Sequence, residues 1–304
     1  MGTVVKRRIK IKWKNLAILV VFFFLLVFGL TEIVICIGKA FTTPKKPKPK
    51  PVEVITIEEK KLKQLDYIND KIDYFNMEYL DRYLLYKKQN PDMETIQIIK
   101  NVNMQLDKER YKDIISARNT NTNKILVNKY YQADSNYVPN NLEAISTRYA
   151  LNGMKLVKEA KEAFESLSKD ASKEGLSIIA MSTYRSYNYQ VNLYNRYVRE
   201  DGKEKADTYS GRPGHSEHQT GLAVDVYNKK ENYTNFERTK EFNWMMEHAH
   251  EYGFILRFPK DKEDETGYIY ESWHYRYVGK DAAKYIKENN ISFEEYYATK
   301  IKDW

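Results

Sequence analysis

Gly211-Arg212-Pro213-Gly214-His215-Ser216-Glu217-His218-Gln219-Thr220-Gly221-Leu222-Ala223-Val224-Asp225 is the stretch on which the fold turns. Its first part, Arg212 to Thr220, holds Pro and Gly and reads as a loop. Its end runs on to Tyr227 and alternates, with Leu222, Val224 and Val226 on one face and Ala223, Asp225 and Tyr227 on the other. That is the period of a strand. A loop carrying His218 thus feeds a strand carrying Asp225, and the gap between them lets the chain turn once and bring both side chains to one point. Further on, Glu271-Ser272-Trp273-His274-Tyr275 supplies another histidine on a second strand, Trp273 to Val278. Two histidines and a carboxylate, with a further carboxylate beside one of them, make the inventory of a catalytic zinc site. Three protein ligands leave a fourth position for water, and a nearby Glu can take its proton.

Glu271 lies three residues before His274. On a strand, those positions point oppositely, so Glu271 is expected in the turn leading into the strand, close to the metal without being a ligand. The other histidines offer less. His248 and His250 lie two apart on a predicted helix, Arg238 to Tyr252, and face different directions.

Outward from this centre, the pattern predicts a main domain over 137–304. Helices are expected at Ser146 to Ser168, Tyr187 to Arg199 and Lys280 to Glu288, and strands at Leu176 to Ser182 and Phe254 to Phe258. Gly253 is placed to end the helix before it. Strands in a meander with flanking helices indicate an α+β fold with an antiparallel sheet. Residues 58–136 read as a small helical arm. Leu62, Leu65, Ile68, Ile72 and Phe75 recur at helical spacing, Pro91 marks a break, and Thr95 to Leu106 repeats the pattern. Ile125-Leu126-Val127 reads as a short strand.

The N-terminal region has a different character. Residues 1–50 contain eleven Lys/Arg and one acid, whereas the remaining 254 residues hold 39 Lys/Arg against 41 Asp/Glu. The basicity therefore belongs to the N-terminus, and the folded part lacks the basic footprint that nucleic-acid binding requires. Leu16 to Ile37 is an apolar run, long enough to cross a bilayer. It implies a basic cytoplasmic tail at 1–14, a transmembrane anchor at 15–38 and an outward-facing remainder. The run exceeds a usual signal-peptide core, which favours an uncleaved anchor. Alternating Pro and Lys from Thr42 to Pro51 favours extended polyproline II, so 39–57 reads as a stiff linker. Cys36 is the only cysteine, which excludes an intrachain disulfide.

Together, Ser-x-His-x-x-Gly-x-Ala-x-Asp from Ser216 to Asp225 and Glu-x-Trp-His from Glu271 to His274 resemble the metal motifs of the M15B zinc peptidases, the VanY-type D-alanyl-D-alanine carboxypeptidases. A third segment of that family is matched by Ser182-Thr183-Tyr184-Arg185-Ser186 with Gln190. The resemblance covers about 137–292 and implies the fold shared with the D-Ala-D-Ala dipeptidases and the hedgehog signalling domain. It further implies that His218, Asp225 and His274 bind Zn²⁺ and that Glu271 is the catalytic base. Arg185 would meet the anionic end or the oxyanion of the substrate, and Gln190 and Ser216 would hold the terminal carboxylate. Arg185 suits that part on its own chemistry, since its guanidinium offers a fork to a carboxylate; a salt bridge to an acid of the next helix is the alternative. Two positions depart from the family pattern: Phe258 stands where Tyr is common and Ser272 where Pro is common.

The expectation is a membrane-anchored, cell-wall-facing enzyme that removes the terminal D-alanine from peptidoglycan stem peptides. An L,D-carboxypeptidase acting on tetrapeptide stems would use the same motifs. A non-catalytic wall-binding module would not need Glu271.

Overall fold

The computed structural model describes residues 20–30, 57–65 and 72–303. Of the predicted anchor, residues 20–30 are described, as helix with exposed apolar side chains. No helix among the described residues is long and apolar enough to cross a membrane. The basic tail, Cys36, Ile68 and the linker before Ile57 lie outside the described residues. Helix 20–30 belongs to one compact unit, and Ile57–Trp304 forms the other.

In the second unit, helices α1 (Ile57–Gln64), α2 (Leu80–Gln89) and α3 (Thr95–Asn103) come first. Their apolar faces meet in a core of Leu65, Leu80, Tyr83, Ile98, Ile99 and Val102. Leu62, Ile72 and Phe75 join it from its edge. The spacing that suggested one continuous face is split, because α1 ends at Gln64 and Phe75 reaches the core from beyond it. Helix α3 is tied to the C-terminal region by Lys100–Glu295 at 2.7 Å, and the segment before α2 by Lys302–Asp73 at 2.6 Å.

Two short pairings follow. Strand β1 (Ile115–Ser116) pairs in parallel with β2 (Tyr131–Gln132), and β3 (Leu142–Ala144) pairs antiparallel with β4 (Lys155–Val157). The helix expected from Ser146 instead begins at Lys158, as α4 (Lys158–Lys173). Gly153, at φ +83°, turns the chain so that 155–157 can return along 142–144. Ile125 to Val127 is buried but forms no strand, since the Ile125 carbonyl is taken by Arg276 Nη2 at 2.7 Å.

The central sheet is antiparallel throughout, in the order β5-β6-β8-β7, from β5 (Ile179–Ser182), β6 (Ala223–Tyr227), β7 (Phe254–Leu256) and β8 (His274–Tyr277). Helices α5 (Tyr187–Asp201), α6 (Lys203–Tyr209) and α7 (Lys240–His248) connect these strands. After a one-turn helix α8 (Glu263–Thr266), the chain closes with α9 (Lys280–Asn289) and α10 (Phe293–Tyr296). Gly253 takes the left-handed conformation, φ +87°, that ends the helical segment before β7. The main core joins Val224 and Val226 of β6 with Phe164 and Leu167 of α4 and Met245 of α7. The residues alternating with those valines therefore face away from this core, and Asp225 is among them.

Candidate metal centre

Register places the site. Across the sheet, Ser182 is the partner of Asp225, and Asp225 is the partner of His274. Directly opposed residues of an antiparallel pair project to the same face, so Asp225 and His274 meet side by side. His274 Nδ1 lies 3.0 Å from Asp225 Oδ1. His218 arrives from the 3-10 turn Glu217–Thr220, and its Nε2 lies 3.3 Å from Asp225 Oδ2. That turn is closed by Gly221 at φ +66°, where an added Cβ would fall 2.8 Å from Leu142 Cδ2. Its approach is equally constrained, since a Cβ on Gly211 would lie 2.6 Å from the His215 carbonyl oxygen. The glycines of the motif are there because the chain folds tightly around the site.

The donor atoms of His218, Asp225 and His274 all lie within 4.8 Å of one another, and all three residues are buried. His218 Nδ1–H donates to the Thr183 carbonyl at 2.6 Å, which leaves Nε2 with its lone pair toward the cluster. Burial and the neighbouring Arg185 push the His218 imidazole toward its neutral form. Burial works against ionisation of Asp225, but His218, His274 and Arg185 outweigh it and hold the carboxyl well below its ordinary value. A neutral imidazole and an ionised carboxylate are donors in the state a metal needs, and the second imidazole becomes one on giving up a proton. The set is that of zinc, with three protein ligands from nitrogen and oxygen.

Glu271 sits where expected, in the turn before β8, its amide donating to the Phe258 carbonyl at 3.1 Å. Its Oε2 is 3.6 Å from His274 Nδ1, close to the cluster yet outside the triad of donors. Burial, assisted by Asp225, pushes its carboxyl up to about 8 in the metal-free protein. Burial disfavours charge on His274 as well, but Asp225 and Glu217 overcome it and raise that imidazole to about 9.

A cavity of about 470 Å³ opens over these groups, with Arg185, Gln190, Ser216, Tyr189, Tyr233 and Trp273 also in its wall. Arg185 does not pair with an acid of the next helix. Its Nη2 donates to Asp225 Oδ2 at 2.7 Å, and Ser182 Oγ accepts from both Nη2 and Nε. Its Nη1 group makes no hydrogen bond to another described residue. Gln190 is buried, its Nε2 donating to the Gly211 carbonyl at 2.7 Å and to Ser210 Oγ at 3.3 Å, while its Oε1 has no hydrogen-bond partner among the described residues. The Phe258 ring lies 4.9 Å from the His274 ring, and Ser272 is buried beside Glu271. His215 is fixed by the Asn128 carbonyl at 2.7 Å, whereas His248 and His250 lie outside the donor cluster.

Sequence reasoning missed what stands behind His274. Glu217 Oε1 accepts from Arg257 Nε at 2.8 Å and from Arg276 Nη1 at 3.0 Å. Arg257 also grips Glu294 of α10 through two bonds of 2.8 and 2.6 Å. One signal was available: Arg276 lies two residues after His274 on the same strand and so shares its face.

The family model described as D-alanyl-D-alanine carboxypeptidase, VanY, matches residues 153–280. YodJ of Bacillus subtilis (strain 168), whose own carboxypeptidase activity is named only provisionally, is 41% identical over 185 residues, covering 57% of this chain and 66% of that one. The chain thus spans just under two thirds of that relative. A bifunctional D-Ala-D-Ala dipeptidase and carboxypeptidase of Enterococcus gallinarum, VanXYC, is 32% identical over 57% of this chain and 92% of its own length. Among solved structures, the LD-carboxypeptidase LdcB is similar at a TM-score of 0.58 and 37% identity, over 63% of this chain and 92% of that one. A VanY D,D-pentapeptidase mutant, solved in complex with Zn(II), is similar at a TM-score of 0.50 and 33% identity, over 57% and 98%.

Proposed function

Since the chain belongs to the VanY family of D-alanyl-D-alanine carboxypeptidases, we propose that it is a zinc D,D-carboxypeptidase that removes the terminal D-alanine from peptidoglycan stem peptides. The observation that carries this is the buried convergence of His218, Asp225 and His274 at a cleft that also holds Glu271 and Arg185. Zinc, when bound by those three residues, supplies a Lewis acid for the scissile carbonyl and acidifies water. Glu271 takes the proton from the attacking water and passes it to the leaving amine. Its place in the cleft wall beside the three proposed ligands suits both tasks. The Nη1 group of Arg185, which makes no hydrogen bond to another described residue, is assigned to the substrate's terminal carboxylate or to the developing oxyanion. Ser216, in the same wall, is assigned to the carboxylate as well. Gln190 is assigned there by its motif, with its amide nitrogen already committed to Gly211 and Ser210.

A second reading, L,D-carboxypeptidase on tetrapeptide stems, is supported by the likeness to LdcB, whose TM-score of 0.58 exceeds the 0.50 for the zinc-bound VanY structure. Release of D-alanine from defined penta- and tetrapeptides separates the two. The first reading predicts turnover of the pentapeptide, and turnover of the tetrapeptide alone would replace it by the second. Amidation of the substrate's C-terminus should raise KM for the wild type and do little further harm in Arg185→Ala. An amide cleaved as fast as the acid would exclude a carboxypeptidase.

Anchoring and outward orientation are part of the same proposal. They are supported by the apolar run from Leu16 to Ile37 and the basic residues before it. Protease added to intact cells should digest the chain beyond Lys39 and spare an N-terminal tag. Protein free in the medium and beginning at Phe41 would show a cleaved signal instead.

A further inference from the structure

The motif Ser216-Glu217-His218 delivers two polar side chains to opposite sides of one imidazole. His218 meets Asp225 in front of His274, and Glu217 stands behind it. Glu217 is only 4% exposed, yet it is a carboxylate flanked by two guanidiniums, Arg257 and Arg276. Both arginines bond to the same oxygen, Oε1. The other oxygen, Oε2, is buried without a hydrogen-bond partner among the described residues, and so is His274 Nε2. These two atoms face each other at 3.7 Å, slightly beyond hydrogen-bond length. Two buried polar atoms of complementary character, each without a hydrogen bond among the described residues and 3.7 Å apart, call for an explanation.

Resting on the reading of His274 as a zinc ligand, we propose that Glu217 is the positioning residue for that ligand. It holds the proton of His274 on Nε2 and so presents the Nδ1 lone pair to the metal. An imidazole can give a metal only the nitrogen that lacks hydrogen, and an acceptor behind the ring decides which nitrogen that is. On the cluster side, His274 Nδ1 lies 3.0 Å from Asp225 Oδ1, so it is the ring nitrogen turned toward the other proposed ligands. The arginines serve this arrangement. They keep a carboxylate charged inside the protein and saturate the oxygen that does not face the ring. Arg257 is in turn balanced by Glu294, so the pair of acids and the pair of arginines cancel.

The test compares Glu217→Gln with Glu294→Gln in the full-length chain. Each removes one negative charge from the same buried cluster, but only Glu217 faces His274. Zinc affinity is read by competition with a chromophoric chelator, independently of turnover. Glu217→Gln should weaken zinc binding by about 10- to 100-fold, with Glu294→Gln within about threefold of wild type on the same argument. Equal affinities for Glu217→Gln and wild type, or equal losses in both variants, would overturn the proposal. A long-range ¹⁵N–¹H spectrum of zinc-loaded wild type needs no variant and decides the matter should Glu217→Gln not fold. His274 should carry its proton on Nε2, and a proton on Nδ1 refutes the assignment. A wild type that takes up no zinc at all would overturn the metal reading itself and this proposal with it.

Discussion

Two groups of buried charge lie on either side of His274, and they are built on different principles. Behind the ring, Glu217, Glu294, Arg257 and Arg276 pair charge for charge at 2.6 to 3.0 Å. In front, Asp225 and Glu271 share Arg185 and two imidazoles, and the balance is poor: Glu271 is driven up to about 8 and His274 to about 9. The rear group is complete as protein. The front group becomes complete with a cation, which turns both imidazoles into neutral donors and lets the carboxylates stay charged. Burial is the same on both sides, so what separates scaffold from chemistry is whether the protein itself supplies the counter-charge.

This contrast predicts opposite consequences for substitutions only a few residues apart. His218→Ala or Asp225→Ala should abolish most zinc binding and reduce turnover to background while leaving the rear group intact, as elemental analysis and peptide assays would record. Retention of a full equivalent of zinc in both variants would break the comparison at its front. Arg257→Met should act on the fold. It leaves Glu217 and Glu294 short of counter-charge in a site from which Arg257 is 1% exposed, and removing one partner of a buried pair typically costs about 3–5 kcal/mol. Chemical denaturation checks this, and a loss below about 1 kcal/mol, the scale of a surface pair, would show that the rear group is not the support described.

The smallest effect concerns a buried cation with no ion pair to a carboxylate among the described residues. Lys129 donates to the carbonyls of Asp207 and Gly267, and burial lowers its ammonium to about 8. The unfolded chain then binds more protons than the folded one between pH 8 and the ordinary lysine value of 10.5. Stability contributed at this site therefore rises with pH across that window, the penalty being full below it. Urea titrations of wild type and Lys129→Met should diverge in slope there, wild type gaining relative to the variant as pH increases. Parallel curves would place Lys129 with the fully compensated groups.

Much of the front was legible in the sequence. His218, Asp225 and His274 were recognisable because a loop feeding an alternating strand, and a second alternating strand, leave few ways to set three such side chains together. The antiparallel sheet followed from the same alternation. The rear was hidden because its pairing depends on strand order. Arg257 follows β7 and Arg276 lies on β8, and only the order β6-β8-β7 brings both to Glu217. Local expectations failed where tertiary partners claimed the backbone. Ile125 to Val127 has a strand's composition, but Arg276 takes its carbonyl. Lys155 to Val157 has a helix-compatible pattern, but β3 pairs with it. Arg185 was assigned to the substrate without its tie to Asp225, since the fourth residue of the Ser182–Ser186 motif gives no hint of a partner forty positions away.

The central claim, that Glu271 performs proton transfer beside a zinc held by His218, Asp225 and His274, is tested most directly by one variant read in two ways. Glu271→Ala should retain one equivalent of zinc, while kcat on a D-Ala-D-Ala pentapeptide falls by about 10²- to 10⁴-fold, the usual range for losing a general base. Loss of zinc together with activity would make Glu271 a ligand, and undiminished kcat would remove it from the reaction; either result contradicts the account.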